Sequence, residues 1–413
     1  MRLRSRMSQP ARAAVGGLAA TAVLAAAACG GGDDHDRAER SPPTTAGPAR
    51  ATAAAAAAPS AGAGAAHAAA PAPQVVMVRR AGGVPAGWGA RLRRIDGVTA
   101  VTRAARAQAM LRATGTRAVR AGFAVPLDTL VIRPRAYAAL LPAADRRVVR
   151  RLGPGEALLS RSSARLRHAR AGTTLTLAGG RRLRVAGVVD DGLVRSAELV
   201  VSATESARLA TRAPYLLAAV GTARDARRAA RAFDGDRTRV TLLGPAPWNA
   251  RGLVARPVDL KLRFGEFALR TPVGPDWVTP DPAWVRREIR SARVPILGSV
   301  TCHRRMIPAL RRAMADLERL GLAHLVDPGD YAGCYAPRRI PTSGTLSLHA
   351  WGLAVDLNAS RNPQGSPPHQ DLRLVHVMER HGFSWGGRWP TVPDGMHFEF
   401  HGDGPPGAPD EPL

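Results

Sequence analysis

Apolar and polar residues alternate in short runs through the middle of the chain, and Gly and Pro separate the runs. Alternation with a period of two is typical of β-strands that bury one face. Strands are predicted at 75–78, 173–177 and 182–189, and a short helix within 160–170. The last two strands form a hairpin in which Leu175 and Leu183 can share one face. We expect a mixed α/β, strand-rich module at 74–245, whose ligand the sequence does not indicate.

A second pattern occupies residues 257–404, where apolar residues recur at helical spacing. Helices are predicted at 282–292, 308–320 and 371–381, and a buried strand at 294–300. Pro308 suits a first helical turn, which needs no N–H donor, and Gly321 suits a helix end. The apolar face of the second helix comprises Leu310, Met314, Leu317 and Leu320. The expected fold class is α+β: a small domain at 257–404 with an antiparallel sheet flanked by helices, preceded by the separate strand-rich module and a connector at 246–256.

The first 29 residues have the pattern of an export signal. Four arginines precede an apolar run at 13–28, which is shorter than the ~20 residues that span a bilayer. Cys29 follows directly, so the segment resembles a bacterial lipoprotein signal whose thiol becomes acylated, although Ala26 stands where a leucine is usual. The alternative is ordinary signal cleavage without lipid. We therefore expect an extracytoplasmic protein, anchored to the membrane through Cys29 or secreted.

Composition narrows the possible partners. Residues 30–73 are mostly Ala, Pro, Thr and Gly, a composition that predicts a disordered spacer. Residues 405–413 are predicted to form a flexible tail. The net charge of the 413 residues is +27, and Lys261 is the only lysine. Such an arginine-rich protein favours anionic surroundings. Aromatic and basic residues are not interleaved as base stacking requires, so nucleic acid is not an expected partner.

Two pairs of polar residues near the C-terminus carry the candidate chemistry. Asp356 follows His349 by seven residues, and Asp394 precedes His397 by three. A single histidine is more often a core or surface residue than a ligand. Two imidazoles and one carboxylate together, however, are a known ligand set for catalytic zinc, which keeps a further position for water. Asp394 is close enough in sequence to His397 for its carboxylate to reach such a water.

These residues belong to a longer series of motifs, through which residues 257–402 resemble the M15 metallopeptidases. This family includes D-alanyl-D-alanine carboxypeptidases and L-alanyl-D-glutamate endopeptidases that act on peptidoglycan. The motifs follow in the family's order: Cys302-His-Arg, Gly333-Cys-Tyr-Ala-Pro-Arg338, Ser347-Leu-His-Ala-Trp-Gly-Leu-Ala-Val-Asp356, Gly382-Phe-Ser-Trp-Gly-Gly and Met396-His-Phe-Glu399. The resemblance implies one Zn²⁺ per chain and hydrolysis of amide bonds in peptidoglycan stem peptides.

The resemblance also implies a role for each matched position. His349, Asp356 and His397 match the zinc ligands. Asp394 matches the general base, where the family has Asp or Glu. Glu399 is a rival for that role, its other role being support beside His397.

Further matched residues concern the substrate. Arg338 matches the arginine that binds the substrate or polarises its carbonyl group, and the adjacent Arg339 is the alternative. Ser347 and Trp389 are expected to line the substrate cleft.

Cys302 and Cys334 are the two cysteines that remain in the C-terminal domain. Outside the cytoplasm two such cysteines are expected to form a disulfide, and closing this loop stabilises a domain by ~3 kcal/mol in the chain-entropy model. The rival interpretation is that they ligate zinc, although the His and Asp set is complete without them.

The sequence leaves alternatives for the whole protein. Residues 153–191 resemble the extracytoplasmic core domain of lipoprotein-exporting ABC permeases of the MacB type, which suggests an exporter accessory. A non-catalytic wall-binding module is a second alternative. The leading hypothesis is a tethered, monomeric zinc peptidase, with carboxypeptidase and endopeptidase activity both open because the two share one zinc centre.

Overall fold

The computed structural model describes residues 72–233, 238–248, 257–340, 344–389 and 392–402. The predicted export signal with Cys29, the predicted tail and nearly all of the predicted spacer lie outside the described residues, as does most of the connector. Of the helices described, none is both long and apolar enough to cross a membrane.

The first half of the described chain is dominated by a large mixed sheet. Its strands are β1 Gln74–Arg80, β2 Val98–Thr114, β3 Arg117–Ala118, β4 Phe123–Ile132, β5 Glu156–Ser160, β6 Thr174–Leu177, β7 Arg182–Val189, β8 Leu199–Ser202, β9 Ala210–Thr211, β10 Tyr215–Val220 and β11 Thr238–Gly244. They follow the order β11-β1-β10-β2-β6-β7-β5-β8-β4, and β2 also pairs with β4, which closes six strands into a ring. The pairs β4–β8 and β5–β7 are parallel and the others are antiparallel.

Short helices accompany these strands. They are α1 Trp88–Arg93, α2 Pro134–Ala138, α3 Arg146–Arg150, α4 Arg161–Arg167 and α5 Ala223–Ala232. The structure confirms the predicted first strand, the helix before the hairpin and the hairpin itself, in which Leu175 pairs with Leu183. Because every residue of β10 is buried, this strand reads as one continuous apolar run rather than an alternation.

The second half contains longer helices and two small sheets. Its elements are α6 Pro257–Phe264, β12 Leu269–Arg270, α7 Pro282–Glu288, β13 Ile289–Val294, β14 Gly298–His303, α8 Ile307–Arg319, β15 Ala354–Asp356, α9 Leu372–Arg380, β16 Phe383–Trp385 and β17 His397–Phe400. β13 and β14 form a hairpin, and β15-β17-β16 is an antiparallel sheet. One apolar core packs α8 and α9 against the small sheet.

The two longest helices of this half were predicted from local signals. Pro308 lies in the first turn of α8, and Gly321 beyond its end has a φ of +70°, which favours glycine. Asp371 caps α9, because its carboxylate accepts the Arg373 N–H at 2.8 Å. Leu320 was wrongly placed on the buried face of α8, since it is 44% exposed.

Two other predictions in this region were wrong. The predicted helix at 282–292 ends at Glu288, and the chain continues as β13. The predicted strand at 294–300 is not continuous: Val294 ends β13, residues 295–297 form the turn, and Gly298 begins β14. Ile296 and Gly298 have φ values of +63° and +74°, so the backbone reverses here, next to Pro295 and within a run of otherwise mostly apolar residues.

The two halves are in contact through main-chain pairing and buried charges. β12 pairs with the start of β4. Lys261 on α6 donates to both carboxylate oxygens of Glu198, at 2.8 and 2.9 Å, and Arg167 donates to the same carboxylate at 2.8 Å. Burial alone would raise the pKa of Glu198, but these two cations hold it below its usual value. The division into separate domains at 246–256 stays a prediction.

Candidate metal centre

Two local structures position the predicted metal ligands. His349 lies in a 3₁₀ turn, Leu348–Trp351. The Ser347 hydroxyl caps the start of this turn, because it accepts the His349 N–H at 3.3 Å. The turn ends at Gly352, which has a φ of +65°. A Cβ at this position would lie 2.7 Å from the backbone nitrogen of His303, so the turn requires glycine. Asp356 and His397 are directly opposite each other on β15 and β17.

The three side chains converge in the interior. His349 Nε2 lies 3.2 Å from His397 Nδ1 and 3.1 Å from an Asp356 carboxylate oxygen. The other Asp356 oxygen lies 2.9 Å from His397 Nδ1. All three residues are buried, and their candidate ligand atoms lie within 4.8 Å of one another.

Each of the two imidazoles makes a hydrogen bond on the side that faces away from the other ligands. These bonds indicate which ring nitrogen of each histidine can offer a lone pair to a metal ion. His349 Nδ1 lies 2.7 Å from the Cys334 carbonyl oxygen and must donate to it, so that Nε2 carries the lone pair whenever this imidazole is neutral. His397 Nε2 lies 3.2 Å from Glu399 Oε1 and donates there, so that Nδ1 carries the lone pair whenever this imidazole is neutral. When both rings are neutral, as metal binding requires, three acceptors face one another, and this donor set fits a zinc ion.

The charge balance of the site also favours a cation. Burial alone would raise the pKa of Asp356, but hydrogen bonds with His349 and His397 hold it well below its usual value. Burial alone would lower the pKa of His397, but Asp356 and Glu399 raise it to about 10. Two carboxylates in a buried pocket thus attract positive charge, which a proton or a metal ion can supply.

Asp394 lies at the same end of β17. Its backbone nitrogen bonds to the Gly386 carbonyl at 3.0 Å, and a Cβ on Gly386 would lie 3.2 Å from the Asp394 Cβ and 3.3 Å from the His397 Cβ. One Asp394 oxygen accepts from Gln364 at 2.9 Å, whereas the other is buried with no hydrogen-bond partner among the described residues. Burial raises the pKa of this carboxyl group. Gln364 was not predicted, because nothing marks it within an exposed Gly- and Pro-rich loop.

Glu399 does not occupy the position of a general base. Its Oε1 faces His397 Nε2, on the side of the ring opposite Nδ1. The carboxylate therefore supports the imidazole from behind, as expected in the alternative to a base role.

The two adjacent arginines have different surroundings. Arg339 donates to the carbonyls of Gly274 and Gly344 at 3.3 and 2.6 Å and to Gln108 at 3.0 Å. The Arg338 guanidinium, in contrast, has no hydrogen bond or ion pair with any residue described. Among the described residues, Arg338 is thus the one of the two arginines whose guanidinium has no partner.

The predicted cleft residues Ser347 and Trp389 also lie near the ligands. The Ser347 hydroxyl caps the turn that carries His349, which is a structural contact. The Trp389 ring lies 5.4 Å from the His397 ring, and its indole N–H is buried with no hydrogen-bond partner among the described residues.

The structure contains a disulfide between Cys302 and Cys334, whose loop spans 32 residues. The alternative in which these cysteines ligate zinc is therefore wrong, because oxidised sulfurs are not metal ligands. The disulfide instead fixes Cys334, whose carbonyl orients His349.

The solved structures that match this chain include two distant similarities. The first is to the extracellular domain of the noncanonic ABC-type transporter YknZ from Gram-positive bacteria, at 13% sequence identity and a TM-score of 0.29. The aligned region covers 40% of this chain and 99% of that one. The second is to a domain of a protein described as a permease, from Porphyromonas gingivalis, at 16% sequence identity and a TM-score of 0.26. The aligned region covers 43% of this chain and 91% of that one. These TM-scores are too low to carry an argument, so the resemblance of 153–191 to exporter domains stays a prediction.

A comparison with curated proteins finds no match. In a comparison with protein families, residues 341–400 match the family described as D-alanyl-D-alanine carboxypeptidase. The matched segment contains His349, Asp356, Asp394 and His397. This match supports a peptidase domain of the M15 type in the C-terminal part of the chain.

Proposed function

We propose that this protein is an extracytoplasmic zinc peptidase that hydrolyses amide bonds in peptidoglycan stem peptides. The observation that carries the proposal is the convergence of three buried lone-pair donors, His349 Nε2, His397 Nδ1 and the Asp356 carboxylate. The family match over the same segment supports the peptidase class. Anchoring through a lipid on Cys29 is part of the proposal and rests on the signal-like N-terminus.

His349, Asp356 and His397 would hold the metal. Zn²⁺ bound by such a set supplies Lewis acidity, which lowers the pKa of water toward ~7 and polarises a scissile carbonyl group. In the proposed reaction, the free oxygen of Asp394 accepts a proton from the attacking water and delivers it to the leaving amine. The raised pKa of Asp394 suits a group that must both take up and release a proton.

Arg338 supplies fixed positive charge beside the reaction. Arg338 is half-buried, and its guanidinium has no partner among the described residues, so it can pair with a substrate carboxylate or with the negative charge that develops on the carbonyl oxygen. Arg339 cannot take this role without losing its three hydrogen bonds.

Digestion of purified muropeptides tests the proposal. The zinc-loaded protein should release either a terminal D-Ala or the fragments of a cut after L-Ala, which mass spectrometry separates. His349→Ala and Asp394→Asn should abolish cleavage. Asp316→Asn is the matched control, because Asp316 also contacts a histidine, His381, at 2.9 Å but on another surface.

The proposal fails if a protein with one bound zinc leaves all muropeptides intact. It also fails if Asp394→Asn cleaves as fast as Asp316→Asn. Binding to sacculi without any cleavage would favour the non-catalytic wall-binding alternative.

A further inference from the structure

Three short backbone segments lie side by side next to the candidate metal centre. The Arg339 N–H donates to the Asp276 carbonyl at 2.7 Å, and the Val278 N–H donates to the Pro337 carbonyl at 2.9 Å. On the other side, the Ser347 N–H donates to the Arg338 carbonyl at 3.1 Å. The pairing is antiparallel in both cases. Its register sets three residues opposite one another across the segments, namely Trp277, Arg338 and Ser347.

Residues directly opposite on antiparallel neighbours project from the same face, with Cβ atoms about 5 Å apart. Trp277, Arg338 and Ser347 therefore form a row, and exposure increases along it. Ser347 is buried, Arg338 is half-buried, and Trp277 is 65% exposed.

The inner end of this row adjoins the ligand His349. Ser347 caps the turn that carries His349, and the Ala336 N–H donates to the His349 carbonyl at 3.0 Å. The outer end lies two strand spacings away, which is about 10 Å. An extended peptide covers this distance with about three residues.

The backbone that carries Trp277 is fixed. A Cβ on Gly274 would lie 2.4 Å from the Trp277 carbonyl oxygen, so this tight turn requires glycine. Arg339 donates to the Gly274 carbonyl and thereby ties the turn to the neighbouring segment. An indole on a fixed backbone is prepared for binding, since little conformational freedom is lost when a ligand packs on it.

We propose that Trp277 is an outer substrate-binding residue that selects peptides extending past the group held by Arg338. This inference rests on the proposed function. A substrate that ended in a carboxylate paired with Arg338 would leave the indole without a contact. A chain that continues outward along the row would pass over the exposed indole and cover it.

A substrate-length series tests this selection. The value of kcat/KM is measured for stem peptides of increasing length, free and attached to their muramic sugar. We expect kcat/KM of the wild type to rise about tenfold from the shortest to the longest cleaved substrate. Trp277→Ala should lose most of this gain through a higher KM at unchanged kcat, and Trp277→Phe should keep part of it.

Leu242→Ala is the matched control. Leu242 is 51% exposed, but it lies on β11 in the strand-rich half, so its removal should leave the length dependence intact. Binding is measured independently of turnover by titrating the longest peptide into the Asp394→Asn protein. Adding Trp277→Ala should raise Kd about tenfold.

The inference is overturned if Trp277→Ala keeps the wild-type gain with length, or if the wild type shows no gain. Either result leaves metal-dependent cleavage standing. If the wild type cleaves nothing, the proposed function fails, and the titration decides the inference by itself: an unchanged Kd rejects it and a tenfold rise supports it.

Discussion

Glu399 offers a test of how the candidate metal centre is oriented. Its carboxylate accepts from His397 Nε2 at 3.2 Å, and both side chains are buried. This contact leaves the Nδ1 lone pair of His397 facing His349 and Asp356. Without Glu399 the imidazole can rotate or place its proton on Nδ1, and either change removes one metal ligand.

We expect Glu399→Ala to weaken zinc binding by about 10- to 100-fold, as the loss of such supporting partners usually does. This range corresponds to about 1.4–2.7 kcal/mol of binding free energy. Glu399→Gln keeps an oxygen acceptor for Nε2 and loses only the charge, so its effect should fall at the lower end, about tenfold.

The assay is a competition titration against a chromogenic zinc chelator at neutral pH, with thermal unfolding as a check that each variant is folded. Glu379→Gln is the control, because Glu379 pairs with Arg388 rather than with a metal ligand. Folded Glu399 variants with a zinc Kd within twofold of the wild type would refute the reasoning. So would an equal loss in Glu379→Gln.

Three further predictions concern activity and stability. Arg338→Ala should lower kcat about 100-fold in muropeptide assays with little change in stability, whereas Arg339→Ala should lower the free energy of unfolding by about 1–3 kcal/mol because three hydrogen bonds are lost. Replacing Cys302 and Cys334 by serine should lower the free energy of unfolding, measured in urea, by about 3–4 kcal/mol, and an unchanged midpoint would contradict a structural disulfide. Burial lowers the pKa of His303 to about 4 from its model-peptide value of 6.5, so the unfolded chain binds more protons between these pH values. The free energy of unfolding should therefore fall by about 3 kcal/mol more in the wild type than in His303→Gln as the pH drops from 6.5 to 4, and parallel pH curves would contradict this.

Local signals in the sequence were sufficient for several elements. Periodicity and residues typical of helix ends predicted strand β1, the β6–β7 hairpin, α8 with its N-terminal Pro308, and α9. Asp371 was predicted as the first residue of α9, whereas in the structure it is the N-cap. The β13–β14 hairpin was missed because its turn lies inside a mostly apolar run, where Pro295 and Gly298 are the local turn signals and the positive φ of Ile296 is not indicated.

Long-range contacts were beyond the sequence pattern. Glu198 and Lys261 are 63 residues apart, and no periodicity relates them, yet they meet in a buried ion pair. The position of Trp277 opposite Arg338 depends likewise on register between distant segments.

The side chains of the candidate site could be predicted from the sequence, but the backbone contacts that orient them could not. Motif order indicated that His349, Asp356 and His397 belong together, and the structure places them within hydrogen-bonding distance. The carbonyl of Cys334 orients His349, but a backbone oxygen leaves no mark in the sequence. Gln364 was missed for a related reason, since its contact with Asp394 depends on how an exposed loop folds back.

The central claim is that one metal ion is held by two imidazoles and one carboxylate. X-ray diffraction from zinc-soaked crystals, recorded on both sides of the zinc absorption edge, tests it directly. The account predicts a single strong anomalous peak between His349 Nε2, His397 Nδ1 and the Asp356 carboxylate, lost in His397→Ala crystals. A map without a peak at these atoms, while zinc occupies other positions, would contradict it.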